Sequence, residues 1–101
     1  MRSVAFVFTA AGNLSWAPEG DVTLNAAYMN GTGGDAAIST DPSADIGLMF
    51  GGNAVFDQLI ALFVQPQDGF RQLSWPVQKG ESVFVSADAG CLVVIDYTPA
   101  E

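Results

Sequence analysis

The fold class is decided by residues 82–98, which read SVFVSADAGCLVVIDYT. Two apolar runs, 82–87 and 91–98, flank the turn Asp88-Ala89-Gly90, and a Gly-containing turn between two such runs predicts a β-hairpin. The second run is apolar at successive positions as far as Ile95, which is typical of a strand covered on both faces. This part of the chain is therefore predicted to consist of two β-strands.

The same pattern extends toward the start of the chain. Alternation of side chains predicts strands at residues 3–9, 14–17, 22–29, 36–39 and 70–77, separated by turns rich in Gly, Asn, Asp and Pro. We expect a hairpin between 3–9 and 14–17, and a wide hairpin turn at 31–34. Pro76 indicates an edge strand or the end of a strand, because proline cannot donate a ladder hydrogen bond.

Residues 54–64 are compatible with a helix or a strand. Helical spacing is present in Val55, Phe56, Leu59, Ile60 and Phe63. A strand is favoured because the neighbouring segments are strands and both flanks carry turn residues. About eight short strands point to a sandwich or a barrel, and we predict an all-β fold, a single jelly-roll β-sandwich of about eight antiparallel strands, as one domain over residues 1–101.

Charge and composition exclude several functions. The chain has 3 Lys and Arg against 11 Asp and Glu, a net charge of −8, which makes nucleic acid and membrane surfaces poor partners. The absence of His removes the commonest general base and metal ligand, so we expect no enzymatic activity and no cofactor. No apolar run is long enough to span a membrane, and no signal peptide is recognisable, so we expect synthesis in the cytoplasm.

Half of the residues are hydrophobic and 14% are charged, so we expect more apolar surface than one small sandwich can hide. Part of that surface is predicted to meet another subunit. Arg2 and Arg71 are each expected to have a carboxylate partner, within the subunit or across an interface. The aromatic candidates for stacking on sugar rings, or for core or interface packing, are Trp16, Tyr28, Trp75 and Tyr97.

No metal site and no catalytic site are predicted. Asp35, Asp41 and Asp45 are conceivable calcium ligands, but their spacing matches no known calcium loop, and solvated turn carboxylates are the favoured interpretation. The glycines at 31–34 lack the Lys-Ser/Thr of a phosphate-binding loop. Cys91, the only cysteine, lies in an apolar run and is predicted to be a small buried hydrophobic residue.

Two stretches of the chain carry a family resemblance. Residues 75–90 (WPVQKGESVFVSADAG), followed by the strand at 91–97, resemble the closing hairpins of small jelly-roll proteins on the virions of tailed bacteriophages. In that group a Pro-aliphatic-x-Lys-Gly-Glu/Asp turn leads into an apolar strand that ends in Ser, followed by Gly and the last strand. Residues 20–39 (GDVTLNAAYMNGTGGDAAIS) are similar to the opening hairpin of the same domains.

Within that group, a chain of this size without a shaft or a coiled-coil stalk most resembles a capsid decoration (cement) protein. The resemblance implies a homotrimer on the outer capsid surface of the virion, bound to the major capsid protein and made in the host bacterial cytoplasm. Two alternatives stay open: a carbohydrate-binding fibre tip or lectin-like module that uses Trp16, Tyr28 or Trp75, and a minor head or neck component. The Gly-rich turns are the expected capsid-contact loops, with candidate residues Asn30, Gly31, Thr32, Gly33, Gly34, Asp41 and Asp45.

Overall fold

The computed structural model describes residues 2–31, 35–40, 59–63 and 69–100. These residues form eight strands and no helix, which confirms the predicted all-β class. The strands are β1 (Arg2–Phe8), β2 (Gly12–Trp16), β3 (Val22–Gly31), β4 (Ala36–Ser39), β5 (Leu59–Phe63), β6 (Gly69–Val77), β7 (Val83–Ala87) and β8 (Cys91–Pro99).

The strands form two antiparallel sheets of four strands each. Sheet A has the order β1-β8-β3-β6, and sheet B has the order β2-β7-β4-β5. The pairs β1/β8, β2/β7, β3/β6 and β4/β5 join the first four strands to the last four in reverse order. This arrangement is that of one long two-stranded ribbon folded over on itself, and the result is a β-sandwich.

Three predicted hairpins are wrong. β1 and β2 lie in different sheets, as do β7 and β8, and residues 31–34 connect β3 in sheet A to β4 in sheet B. The turn residues were identified correctly as places where a strand stops. A turn sequence does not specify whether the next strand joins the same sheet, and here the chain crosses to the opposite sheet, where the apolar side chains pack across the sandwich.

The core lies between the two sheets. Leu24 of β3 and Ile95 of β8 face it from sheet A, and Ile38 of β4 and Val85 of β7 face it from sheet B. All four side chains are 0% exposed. Alternate residues of each strand therefore point inward, as expected for two packed sheets, and the opposite faces of the sheets point away from the core.

Two alternatives that the sequence left open, helix or strand at 54–64 and the position of Pro76, can be decided for the residues that the structure describes. Residues 59–63 form β5, which pairs with β4, so the strand interpretation is confirmed for these residues and the helix is wrong for them. Residues 54–58 and 64 lie outside the described residues. Pro76 lies on β6, an edge strand of sheet A, as its sequence context predicted.

Two glycines determine tight turns. Gly80, between β6 and β7, has a φ of 95°, and Gly90, between β7 and β8, has a φ of 84°. Residues that carry a Cβ atom rarely adopt these backbone angles. The turn before β7 is closed further because the Glu81 amide donates to the Gln78 carbonyl at 3.0 Å, and the Gln78 amide donates to Oε1 of Glu81 at 2.8 Å.

Candidate functional site

The outer face of sheet A carries large apolar side chains that this chain does not cover. Val7 is 65% exposed, Phe70 is 53% exposed, Tyr28 is 41% exposed and Leu92 is 38% exposed. Half-buried Val94 lies among them. These five residues are called the apolar strip below.

Strand register brings the apolar strip together. Val7 of β1 pairs with Leu92 of β8, Val94 of β8 pairs with Tyr28 of β3, and Tyr28 pairs with Phe70 of β6. The rings of Tyr28 and Phe70 are in contact, with centroids 5.1 Å apart and planes inclined by 46°. The strip therefore runs across all four strands of the sheet.

The remainder of the same face is polar and makes its own hydrogen bonds. Ser3 Oγ donates to Asp96 Oδ1 at 2.7 Å, and Asn25 Nδ2 donates to Thr98 Oγ1 at 2.6 Å. Partial desolvation of the Tyr28 phenol, with its hydrogen bond to Asp96 and the negative charge of that carboxylate, raises the pKa of Tyr28 above its ordinary value. Asp96 is the one carboxylate on this face among the described strand residues. The apolar strip thus adjoins a polar half with little charge.

A pocket of about 380 Å³ lies at one end of the sandwich. Trp16 at the end of β2 and Tyr97 of β8 line it, with ring centroids 4.7 Å apart and planes inclined by 50°. Arg2, Glu19 and Asp21 supply its charged groups. This site is called the end pocket below.

The backbone around the end pocket is held on several sides. Arg2 pairs with Tyr97 in the β1/β8 ladder, which fixes one wall. The loop from β2 to β3 forms another wall, and it is anchored at Asp21: the Ala100 amide donates to the Asp21 carbonyl at 2.8 Å, and the Lys79 amide donates to Oδ1 of Asp21 at 2.7 Å. The pocket is consequently preformed.

The two arginines differ in their surroundings. Arg71 donates from Nη1 to the Phe70 carbonyl at 3.0 Å, and its guanidinium carbon lies 5.2 Å from the centroid of the Phe63 ring, a cation–π distance. Arg2 makes no ion pair with any residue in the part of the chain that the structure describes, so its predicted carboxylate partner within the subunit is not found there.

The four aromatic candidates from the sequence lie in three places. Trp16 and Tyr97 line the end pocket, and Tyr28 belongs to the apolar strip. Trp75 packs half-buried against the core and lines a separate hollow with Thr40, Pro76 and Glu81. Sequence reasoning missed Val7, Phe70 and Leu92 as contact residues.

Two of the seven predicted capsid-contact residues belong to β3. Asn30 is exposed near the end of β3, and Gly31 is the last residue of that strand. Asn30 pairs with Leu92, so this loop begins beside the apolar strip. Thr32, Gly33, Gly34, Asp41 and Asp45 lie outside the described residues, and their contact role stays a prediction.

Asp35 has a structural role. Its amide donates to Oδ2 of Asp88 at 3.0 Å, and the Asp88 amide donates to the Asp35 carbonyl at 3.0 Å. This pair of hydrogen bonds connects the start of β4 to the turn before β8.

Within the described ranges no group of three or more His, Cys, Asp or Glu residues is placed to hold a metal ion. The other two acidic residues of the conceivable calcium set, Asp41 and Asp45, lie outside those ranges.

Cys91 is buried, as predicted, with 2% of its surface exposed. Desolvation and the nearby charges of Asp88 and Asp35 raise the pKa of the thiol, although a hydrogen bond from the Asp88 backbone acts in the opposite direction.

At pH 8 both effects, burial and a smaller thiolate fraction, should suppress the reactivity of the Cys91 thiol. We expect Ellman's reagent to label the native protein at least about 100-fold more slowly than the protein in guanidinium chloride. Equal rates would contradict the buried position.

The comparisons with known proteins give no identification. No protein-family model matches the chain, and no curated protein matches it. A search of the described residues for a helix long and apolar enough to cross a membrane found none. The class of protein shown by the structure is thus an all-β sandwich, and its role has to be argued from the two surfaces described above.

Proposed function

We propose that the chain is a capsid decoration protein of a tailed bacteriophage. In this proposal it forms a jelly-roll homotrimer, resides on the virion, binds the major capsid protein on the outer surface of the head, and stabilises the shell by capping joints between capsid subunits. The sequence resemblance at residues 75–97 and 20–39 supports the family. No catalytic role is proposed, because the chain has no His and one buried Cys.

The strand order supports the jelly-roll topology. A jelly roll is an eight-stranded double sheet containing two Greek keys. Rolling up a ribbon in which strands 1 to 4 pair with strands 8 to 5 produces the two sheet orders 1-8-3-6 and 2-7-4-5, and these are the orders of sheets A and B. The β3/β8 and β4/β7 contacts are then the ones made when the ribbon folds over.

The apolar strip is the observation that carries the proposed oligomer. Four of its five residues are large apolar residues that are 38% to 65% exposed, and contiguous exposed apolar patches mark interaction sites on small proteins. A stable interface buries about 800 Å² per partner, of which more than half is apolar in homo-oligomers. The strip thus supplies an apolar centre for one such interface, and the polar half beside it supplies a rim.

We assign the strip to contact with a second copy of this chain. A chain of net charge −8 repels its copies, so self-association should use a face with few carboxylates, and the described strands of this face carry only Asp96. In a closed threefold ring each interface is heterologous, so the strip would meet a different surface of its neighbour. The acidic groups elsewhere then stay available for basic residues of the capsid.

Quantitative mass spectrometry of purified virions of the phage that encodes the chain tests this function. A decoration protein covers the shell and should be present in hundreds of copies per particle. A copy number in the tens would instead support a fibre tip or a neck component and overturn the decoration role. Absence of the chain from the virion would overturn all three virion roles.

A further inference from the structure

The end pocket has a rigid aromatic wall. Trp16 and Tyr97 pack against the core and also line the pocket, so each ring is held from behind while part of it remains open to a ligand. An aromatic ring offers a large apolar surface at a small entropic cost, because its side chain has only two rotatable bonds. Such a wall suits a flat apolar surface, for example the C–H face of a sugar ring.

The polar groups around this wall include donors and acceptors. The Arg2 guanidinium has five N–H donors, and the carboxylates of Glu19 and Asp21 accept hydrogen bonds. The Arg2 guanidinium is not neutralised by an ion pair within residues 2–31, 35–40, 59–63 and 69–100. Sugar hydroxyl groups donate and accept at once, so one sugar ring can bind to both kinds of group, and hydrogen bonds to charged partners are the stronger ones.

Charge and size restrict the ligand further. Two carboxylates and one guanidinium line the pocket, and the whole chain carries a charge of −8, so acidic sugars and phosphates are repelled. The guanidinium disfavours a cationic ligand on the aromatic wall. A volume of about 380 Å³ is near the lower end of the range for small-molecule sites, about 300 to 1,000 Å³, which leaves room for one or two sugar rings.

We propose that the end pocket binds an uncharged pyranose, as the terminal ring of a neutral glycan. Trp16 and Tyr97 contact its C–H face, and Arg2, Glu19 and Asp21 bind its hydroxyl groups. Because the loop is already anchored at Asp21, binding requires little ordering of the backbone. This site is separate from the apolar strip, and of the four aromatic candidates in the sequence it contains Trp16 and Tyr97.

The test uses the purified full-length protein. An array of neutral and acidic glycans identifies ligands, and each neutral ligand is then titrated while NMR follows the indole N–H signals of Trp16 and Trp75. We expect at least one neutral glycan to bind with a dissociation constant below about 10 mM and to shift the Trp16 signal. Arg2→Ala and Glu19→Ala, both at exposed positions, should each weaken binding about tenfold or more.

Two matched variants control for indirect effects. Arg71→Ala removes an exposed cation outside the pocket, and Trp75→Phe alters the other half-buried tryptophan; both should bind like the unaltered chain. The proposal is overturned if no neutral glycan binds, if only acidic glycans bind, or if the Arg2 and Glu19 variants bind as tightly as the two controls. The virion experiment is independent: a chain that binds glycans and is absent from virions would lose the decoration role and keep this site.

Discussion

Replacing Phe70 with aspartate is expected to convert the proposed trimer into 10.5 kDa monomers at micromolar concentration. Phe70 is 53% exposed within one chain, so the folded monomer should tolerate the change. In an interface formed by the apolar strip, the new carboxylate would be buried without a partner, which costs several kcal/mol, enough to weaken association by a factor of about 100 or more. Sedimentation equilibrium measures the mass directly.

Ser74→Asp is the matched control. Ser74 is exposed on the same strand and the same face of β6, and it lies away from the strip. This variant should keep the mass of the unaltered protein. If Phe70→Asp and Ser74→Asp have the same oligomeric state, the strip is not the interface. An unaltered protein of 10.5 kDa would overturn the oligomer itself, and a dimer would overturn only the threefold symmetry.

The largest effect on stability is expected for Leu24→Ala. Leu24 is 0% exposed in the middle of the core, so the substitution removes apolar burial and leaves a cavity between the sheets. Such changes cost about 2 to 5 kcal/mol, and a domain of this size typically has only about 5 to 15 kcal/mol of stability. The melting temperature should fall by at least about 10 °C, as followed by circular dichroism at constant protein concentration.

Leu14→Ala is the same chemical change at a surface position. Leu14 is 42% exposed on β2, an edge strand of sheet B. Its substitution by alanine should lower the free energy of unfolding by no more than about 1 kcal/mol. A loss of stability at Leu14 equal to that at Leu24 would mean that the two positions are buried to a similar extent in the protein in solution.

Strand positions were predictable because they depend on local alternation. The predicted strand 36–39 has the bounds of β4 (Ala36–Ser39), and the segment 22–29 lies within β3 (Val22–Gly31). Strand partners were not predictable in this way. β1 pairs with β8 and β2 pairs with β7, and these choices depend on how the inner faces pack across the sandwich, which no single segment contains.

The same reason limits what the sequence says about the sites. An excess of apolar residues predicted uncovered surface, but its position required the register that places Val7 beside Leu92 from opposite ends of the chain. Trp16 was identified as a candidate from its residue type. Tyr97 was identified in the same way, but its contact with Trp16 was not predicted, because the end of β2 and the end of β8 meet only in the folded sandwich.

The position of β8 has a consequence for how fast the chain folds. β8 lies between β1 and β3 in sheet A, so neither of these strands has that neighbour until residues 91–99 have been synthesised. Contacts between segments so distant in sequence carry a large loop-closure entropy, and all-β domains with such contacts fold in milliseconds to seconds. On the ribosome, sheet A therefore cannot form until the second of its two central strands has been synthesised, and the apolar faces of β1 and β3 are exposed to aggregation or to chaperones during that time.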